Sequence, residues 1–508
     1  MRNVKTIQKV IAGLCLLAVL FGAAYAQKAP KDKFAFGPLH PIKMPKVVEA
    51  ELPNGLKLFL VEDPEYPTID LYAMVRTGAV FEPAGKAGLA SITGSVLRTG
   101  GTQGKTGDQI DKELETLAAT VETGIGDMSG SLRVSVLKED FDKAMAILAD
   151  ILTHPAFRED KINLAKIQQK SMISRRNDDI GGITYREFDR LIYGKDSPYA
   201  RQTEYASIDA ITRQDLVDFY NAYFHPNNTL MAVWGDFKAD DMVAKLKTAL
   251  GAWTKGRPSA APWPKVNYEF KSTVNYIEKP DVNQANVMLG HIGGLMNNPD
   301  LPALNIMNQI LSFERMFKRV RTDEGLAYSV WGSYGASYVY PGTFNCGVQT
   351  KSQSTVYAIN IMLQELKKIT EREVTDEELA KAKDGYLNSY VFDFESRAQI
   401  VNRLMSLAYY GYPRDFAEKL KQGVEKVTKA DVLRVAKKYI QPGKVQILVV
   451  GKKEDFDKPL STLGAVNVID IAPILTLISA LAESGPVCSM MLPPSTHGIV
   501  RSRSRITA

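Results

Sequence analysis

Histidine and cysteine are both scarce in this chain of 508 residues. Of the five histidines, the two nearest in sequence, His225 and His291, are 66 residues apart. This spacing excludes a pair of histidines at positions i and i+4, which would hold zinc on one face of a helix. Cys15 lies in the apolar leader described below, which leaves Cys346 and Cys488. With so few cysteines, a disulfide-stabilised scaffold is also excluded.

A second absence is that of a membrane-spanning apolar run. The run from Val10 to Phe21 is shorter than the roughly 20 residues that a spanning helix needs. It precedes Ala24-Tyr25-Ala26 and follows a basic start, so residues 1–26 are predicted to be a signal peptide that is cleaved after Ala26. Leu14 stands before Cys15, where a lipid anchor would need a small residue. The mature chain is therefore predicted to be periplasmic. The basic residues of the start are Arg2, Lys5 and Lys9.

The chain also has no strongly charged body. Its formal net charge of +6 comes largely from the basic residues at the two ends, with Arg501, Arg503 and Arg505 closing the sequence. Hydrophobic residues make up 45% and charged residues 24% of the chain, as in ordinary globular proteins. No basic surface for nucleic acid is therefore expected.

Two similar units occur in the sequence at a single offset of 216 residues. Repeats of solenoid proteins are only about 20–50 residues long, so this offset indicates a duplicated domain. Within a unit, alternating apolar residues flank an Asn54-Gly55 turn, and a helical apolar period follows later. The predicted fold class is α+β, with two domains that each have a mainly antiparallel sheet and helices packed on one face. The matched positions are Glu62/Glu278, Pro64/Pro280, Asp215/Asp431 and Gly235/Gly451.

The predicted organisation follows from these patterns and from a proline-rich stretch between the units. We expect an N-terminal arm (27–46), a first domain (47–253), a linker (254–266), a second domain (267–465) and a tail (466–508). The tail is apolar from Ile471 to Ala482 and matches nothing in the first unit. No function is assigned to the tail.

One motif of the second unit carries a specific resemblance. Residues 320–330 read Val-Arg-Thr-Asp-Glu-Gly-Leu-Ala-Tyr-Ser-Val, with Arg321 seven residues before Tyr328. This stretch resembles the pitrilysin/insulinase family of zinc peptidases, the inverzincins, and the resemblance covers roughly residues 47–460. It implies that Arg321 and Tyr328 bind the substrate backbone and the oxyanion during peptide hydrolysis.

The same resemblance implies a zinc motif, His-x-x-Glu-His, in the first domain. The matching stretch, residues 88–97, has Ser91 and Ser95 in the histidine positions and Gly94 in the position of the glutamate base. A further glutamate ligand should fall near Ser171, but no Asp or Glu occurs between residues 161 and 177. The prediction is a degenerate zinc site, with no metal-binding residue and no cofactor in this chain.

Some small members of the family build a chamber from two chains, one with the zinc motif and the other with the Arg/Tyr pair. The sequence resembles the second kind. The resemblance implies a subunit of a bipartite exported metallopeptidase, inactive alone, with zinc in a paralogous partner and peptides as substrates. Two alternatives stay open: a catalytically inert scaffold of the same fold, and a homodimeric peptide-binding protein.

The sequence lacks the motifs of two other classes, nucleotide-binding proteins and serine hydrolases. Gly104-Lys105-Thr106 imitates a phosphate-binding loop, but the G-x-x-x-x-G-K-T pattern would require glycine at Thr99. The Gly-x-Ser-x-Gly elbow of many serine hydrolases does not occur in the sequence.

Overall fold

The structure is a computed structural model, and it describes residues 45–258 and 261–472. The predicted signal peptide, nearly all of the N-terminal arm and the tail beyond residue 472 lie outside the described residues. Within the described ranges, no helix is long and apolar enough to cross a bilayer.

The first half of the chain builds a six-stranded sheet with the order β1-β2-β6-β3-β5-β4. All neighbouring strands are antiparallel except β2 and β6. The predicted Asn54-Gly55 turn joins the first two strands, and Gly55 has a φ of 86°, a value that suits glycine. The strands are β1 (Val48–Glu51), β2 (Lys57–Glu62), β3 (Thr68–Val75), β4 (Thr120–Ile125), β5 (Gly130–Leu137) and β6 (Thr229–Gly235).

The second half builds another six-stranded sheet, with the order β10-β12-β8-β13-β7-β14. Its strands correspond to those of the first sheet, except that the edge strand β14 pairs parallel to β7 whereas β1 pairs antiparallel to β2. The second sheet thus continues to Val468, three residues past the predicted end of the domain at residue 465. The strands, including a separate short pair β9 and β11, are β7 (Thr273–Glu278), β8 (Gln284–Ile292), β9 (Gly294–Leu295), β10 (Ala327–Tyr334), β11 (Ala336–Ser337), β12 (Thr343–Lys351), β13 (Gln446–Gly451) and β14 (Val466–Val468).

Helices connect the strands in both halves. In the first half they are α1 (Leu89–Thr99), α2 (Gly107–Thr116), α3 (Phe141–Thr153), α4 (Glu159–Arg175), α5 (Ile180–Tyr193), α6 (Tyr205–Asp209), α7 (Arg213–Tyr223) and α8 (Ala239–Leu250). In the second half they are α9 (Leu301–Gln309), which continues as a π-helix over Ile310–Asp323, and α10 (Thr355–Glu371), α11 (Asp376–Tyr390), α12 (Arg397–Tyr410), α13 (Phe416–Lys426) and α14 (Lys429–Tyr439).

The sequence repeat marks the same capping structure in both halves. Thr212 and Asp215 form a capping box at the start of α7, in which each side chain bonds to the backbone N–H of the other residue. Thr428 and Asp431 form the same box at the start of α14. Each box satisfies backbone donors that a helix start would leave unpaired, which explains why these residues recur at one offset.

Each sheet is covered on its second face by a helix from the other half. Helix α5 of the first half packs on the second sheet, and α12 of the second half packs on the first sheet. The predicted fold class, two α+β domains, is confirmed by the two sheets. The sequence patterns did not predict that each half contributes one helix to the sheet of the other half. The buried contacts are Ile183, Phe188 and Ile192 against Met288, Leu448 and Val450, and Val401 and Met405 against Phe59, Val61 and Ala232.

Tyrosine side chains tie the two halves together at their junction. The hydroxyl of Tyr409 on α12 donates to Met128 O of the first half at 2.8 Å. The Tyr199 hydroxyl donates to Pro264 O at 2.7 Å, and the Tyr199 ring stacks on the Tyr340 ring with centroids 4.0 Å apart. Aromatic rings bury much area with few rotatable bonds, so these contacts fix the halves against each other.

Candidate functional site

Arg321 lies near the end of the π-helix that follows α9. The helix ends at Asp323; Gly325, two residues on, has a φ of 64°, and Leu326 N donates to Val320 O at 3.0 Å across the end. Extended π-helical structure is rare and often marks functional sites. The turn brings the chain from Arg321 directly into strand β10.

Tyr328 stands on a β-bulge in β10, the edge strand of the second sheet. Ala327 pairs with Thr350 and Ser329 pairs with Gln349, so Tyr328 between them has no cross-strand partner. A bulge turns a side chain away from its regular direction. Here the tyrosine is 84% exposed, and its hydroxyl makes no hydrogen bond within the described part of the chain.

The structure brings the two predicted residues into direct contact. Arg321 Nη1 donates to the carbonyl oxygen of Tyr328 at 3.0 Å, and the guanidinium carbon lies 4.6 Å from the centre of the Tyr328 ring. The guanidinium also lies 4.7 Å from the centre of the Phe317 ring. It forms no ion pair with any described carboxylate. A cation and a phenol hydroxyl are thus presented side by side, both able to donate to an anionic oxygen.

Two acids, Asp323 and Glu324, follow Arg321 closely in sequence, and Glu324 has partners of its own. Glu324 pairs with Arg319 at 2.5 Å and accepts a hydrogen bond from the Tyr357 hydroxyl at 3.0 Å. Since Glu324 is already paired, the charge of Arg321 is left available for a ligand.

Ser91, Gly94 and Ser95, the positions predicted to be a degenerate zinc site, lie on α1 of the first half. The start of this helix is capped by Glu82, whose carboxylate accepts from Ala90 N at 2.6 Å and from Gly88 N at 3.2 Å. Burial raises the pKa of Glu82 to about 6, against the lowering effect of these two bonds. On the exposed side of α1, Ser91 Oγ accepts from Gln169 Nε2 of α4 at 3.0 Å.

Gly94, in the position of the general base, faces the backbone of β4. A Cβ atom added to Gly94 would lie 2.3 Å from Ile125 N and 2.7 Å from Gly124 C. The carbonyl oxygen of Gly94 accepts a hydrogen bond from Thr123 Oγ1 at 2.6 Å. Because the helix and the strand touch through backbone atoms, no side chain fits at this position.

These residues do not fit a zinc ion. Protein zinc sites use cysteine, histidine, aspartate and glutamate, and Ser91, Ser95 and Ser171 offer only hydroxyls. Across residues 45–258 and 261–472, no three such side chains gather where they could hold a metal.

A cavity of about 480 Å³ opens beside Ser91, between the two halves. Asp127 and Asp189 line it together with Tyr199 and Tyr340. Burial, reinforced by the charge of Asp127, raises the pKa of Asp189 to about 6. Sequence reasoning missed these residues, because nothing in their local pattern shows that the folded chain brings them together.

Comparisons with known proteins agree with this geometry. The profile described as insulinase (peptidase family M16) matches residues 57–179, and that described as the peptidase M16 inactive domain matches residues 210–386. An uncharacterised zinc protease of Rickettsia felis is 25% identical over 66% of this chain and 80% of its own length. The non-peptidase homolog YmxG of Helicobacter pylori is 23% identical over 76% of this chain and 89% of its own.

Solved structures show the same fold. That of a peptidase M16 inactive domain from Pseudomonas fluorescens has a TM-score of 0.73 at 24% identity, covering 82% of this chain and 99% of the other. The first half of the periplasmic protease PqqL of Escherichia coli has a TM-score of 0.68 at 16% identity, covering 81% and 92%. The two profiles, which match parts of both halves, and the paired six-stranded sheets place this chain in the insulinase-like peptidase family M16.

Proposed function

We propose that this chain is the non-metal-binding subunit of a bipartite, exported zinc metallopeptidase. Its partner would be a paralogous subunit with an intact His-x-x-Glu-His motif, and its substrates would be peptides. The observation that carries the proposal is the contact between Arg321 and Tyr328, with an unpaired guanidinium charge and an exposed hydroxyl on one bulged edge strand.

The geometry supports a role in binding charge that develops during hydrolysis. Attack on a peptide carbonyl leaves a negative oxygen, and donors that are already oriented stabilise it with little reorganisation. Arg321 is held by the Tyr328 carbonyl and by two aromatic rings, so its orientation does not depend on the substrate. The hydroxyl of Tyr328 is free to act as the second donor. The metal of the partner would supply the hydrolytic chemistry.

A second candidate is a catalytically inert homologue that serves as a scaffold or binds peptides. It is supported by the close approach of Gly94 to β4, which leaves no room for a side chain at the position where the family resemblance places the base. The name of the Helicobacter pylori relative, a non-peptidase homolog, points the same way. On this alternative, Arg321 and Tyr328 only stabilise the turn into β10.

Substitutions in a reconstituted pair separate the two candidates. The mature chain is co-expressed with an exported paralogue that has the intact zinc motif, and cleavage of a quenched fluorescent peptide is followed. Arg321→Ala and Tyr328→Phe should each lower kcat by ~10²–10³, the usual effect of losing one oxyanion donor. KM should change little, because the interaction is strongest in the transition state.

Two matched variants control for surface effects. Tyr357→Phe removes another phenol hydroxyl, which bonds to Glu324, and Arg414→Ala removes an exposed arginine that pairs with Glu49. Both should keep full activity. Full activity in Arg321→Ala and Tyr328→Phe as well, with the pair intact by light scattering, would leave the inert homologue as the better account.

A further inference from the structure

A further cavity, of about 550 Å³, opens on the first sheet beside helix α12. Asp70 and Tyr72 of β3 and Trp234 of β6 line its floor. Asn402 and Ser406, which are one turn apart on α12, line its wall. Sites for small ligands have volumes of roughly 300–1,000 Å³ and a few converging polar groups, so this cavity has the size and the lining of a binding site.

The polar groups of this cavity lack partners within residues 45–258 and 261–472. The side-chain oxygen of Asn402 is buried and accepts no hydrogen bond. The Asp70 carboxylate forms no ion pair and no side-chain hydrogen bond with a described residue. A buried acceptor without a donor destabilises the fold, and such a group in a cavity is suited to a ligand that brings an N–H or O–H.

Arg133 of β5, which also lines the cavity, lies over an aromatic ring instead of beside a carboxylate. Its guanidinium carbon is 5.3 Å from the centre of the Tyr72 ring. Asp70 stands diagonally across from Arg133 on the same face of the sheet, and Glu122 of β4 stands directly opposite. Glu122 approaches Arg98 at 4.0 Å, and neither acid forms an ion pair with Arg133. The positive charge of Arg133 and the negative charge of Asp70 are therefore both available to a ligand.

We propose that this cavity binds a short peptide of two or three residues with free termini. The Asp70 carboxylate binds the terminal ammonium, and the Arg133 guanidinium binds the terminal carboxylate. The Asn402 oxygen accepts from a peptide N–H between them.

The spacing of the two charges sets the length of the peptide. Diagonal neighbours on a sheet lie about 7–8 Å apart, and an extended peptide spans about 3.3–3.6 Å per residue. Two or three residues therefore reach from Asp70 to Arg133, whereas a single amino acid is too short. Trp234 is the cross-strand partner of Asp70, so an apolar side chain on the first residue of the peptide packs on the indole ring. The inference does not depend on catalysis by Arg321 and Tyr328, which lie in the second half.

Isothermal titration calorimetry of the mature chain tests the proposal with three probes: leucyl-alanine, its N-acetylated form and its C-terminal amide. The unblocked dipeptide should bind, and each blocked form should bind about 10 to 100 times more weakly, because one charge-assisted hydrogen bond is lost. Asp70→Asn should weaken binding of the unblocked dipeptide by a similar factor and should not weaken binding of the acetylated form further. Arg133→Gln should behave in the same way towards the amide.

Two matched variants control for the loss of a charge elsewhere. Asp142→Asn and Arg414→Gln each remove an exposed charge that pairs outside this cavity, with Lys245 and with Glu49. Both should bind the dipeptide as the parent chain does, and circular dichroism should show all four variants folded. No heat of binding at millimolar dipeptide would overturn the proposal. Equal affinity for the free and blocked forms, or unchanged affinity in Asp70→Asn and Arg133→Gln, would also overturn it.

Discussion

Substitution of Gly94 tests directly how closely helix α1 packs on strand β4. Substituting Gly94→Ala adds a Cβ atom 2.3 Å from Ile125 N and 2.7 Å from Gly124 C. Both of these atoms belong to the backbone of β4, which is held by its pairing with β5. A flexible side chain could rotate away from the new methyl group, but this backbone cannot. Helix α1 would therefore have to move by about 1 Å.

The expected cost follows from two opposing effects. Overpacking a close contact destabilises a protein by about 1–3 kcal/mol and occasionally more. Replacing glycine by alanine inside a helix stabilises it by up to about 1 kcal/mol. Since the atoms that clash are backbone atoms, we expect overpacking to dominate, with a net loss of about 1–3 kcal/mol.

Urea unfolding, followed by tryptophan fluorescence and circular dichroism, measures this loss. With a urea dependence of about 3 kcal/mol per molar, the midpoint should fall by roughly 0.3–1 M. The matched control is Gly385→Ala on α11, where the added Cβ would find only Gln309 Oε1, at 3.9 Å. This variant should be as stable as the parent chain or more stable.

If Gly94→Ala proves as stable as Gly385→Ala, the reasoning is refuted, because α1 then has room for a side chain at this position. A glutamate could in that case stand at position 94 without a change of fold. Under our reading, by contrast, restoring the full motif by substitution at positions 91, 94 and 95 should destabilise the chain and should not create a zinc peptidase.

Further outcomes are expected. Elemental analysis of the purified mature chain should find less than 0.1 zinc per molecule, and one tightly held ion would contradict the degenerate site. The pKa of Asp189 is raised to about 6 from 3.8, so its contribution to stability falls as pH rises from about 4 to 6. Asp189→Asn should therefore raise the unfolding midpoint at pH 7.5, and this gain should shrink at pH 4. Tyr409→Phe, which loses the bond to Met128 O, should cost about 1 kcal/mol and leave the fold unchanged in circular dichroism. Expression with the full leader should give an N-terminus at Gln27, and an uncleaved chain would count against export. Light scattering should show a stable mixed dimer with the zinc-bearing paralogue, and a strict monomer would count against the two-chain chamber.

Much of the architecture could be read from the sequence, because it is encoded locally and twice. Helix α7, for example, depends on apolar spacing and on the capping box of Thr212 and Asp215, which act within a few positions of each other. The duplication followed from equal offsets at both ends of a unit. The prediction of a degenerate zinc site rests on residue identity alone, because serine and glycine side chains lack the imidazole and carboxylate groups that the motif requires.

Other features depend on residues far apart in sequence, and only the tertiary structure decided them. The exchange of α5 and α12 between the halves depends on which apolar face meets which sheet, and amphipathic periodicity does not specify the partner. The bulge at Tyr328 arises from its pairing with β12, so the sequence predicted the residue but not its exposure.

The tertiary structure also decided which residues line the cavity and what surrounds position 94. Asp189 and Tyr340 meet in the cavity because a helix of one half and a loop of the other converge there. At Gly94 the sequence predicted only that the base is missing. The structure shows that there is no space for a side chain at this position, because the backbones of α1 and β4 touch where it would begin.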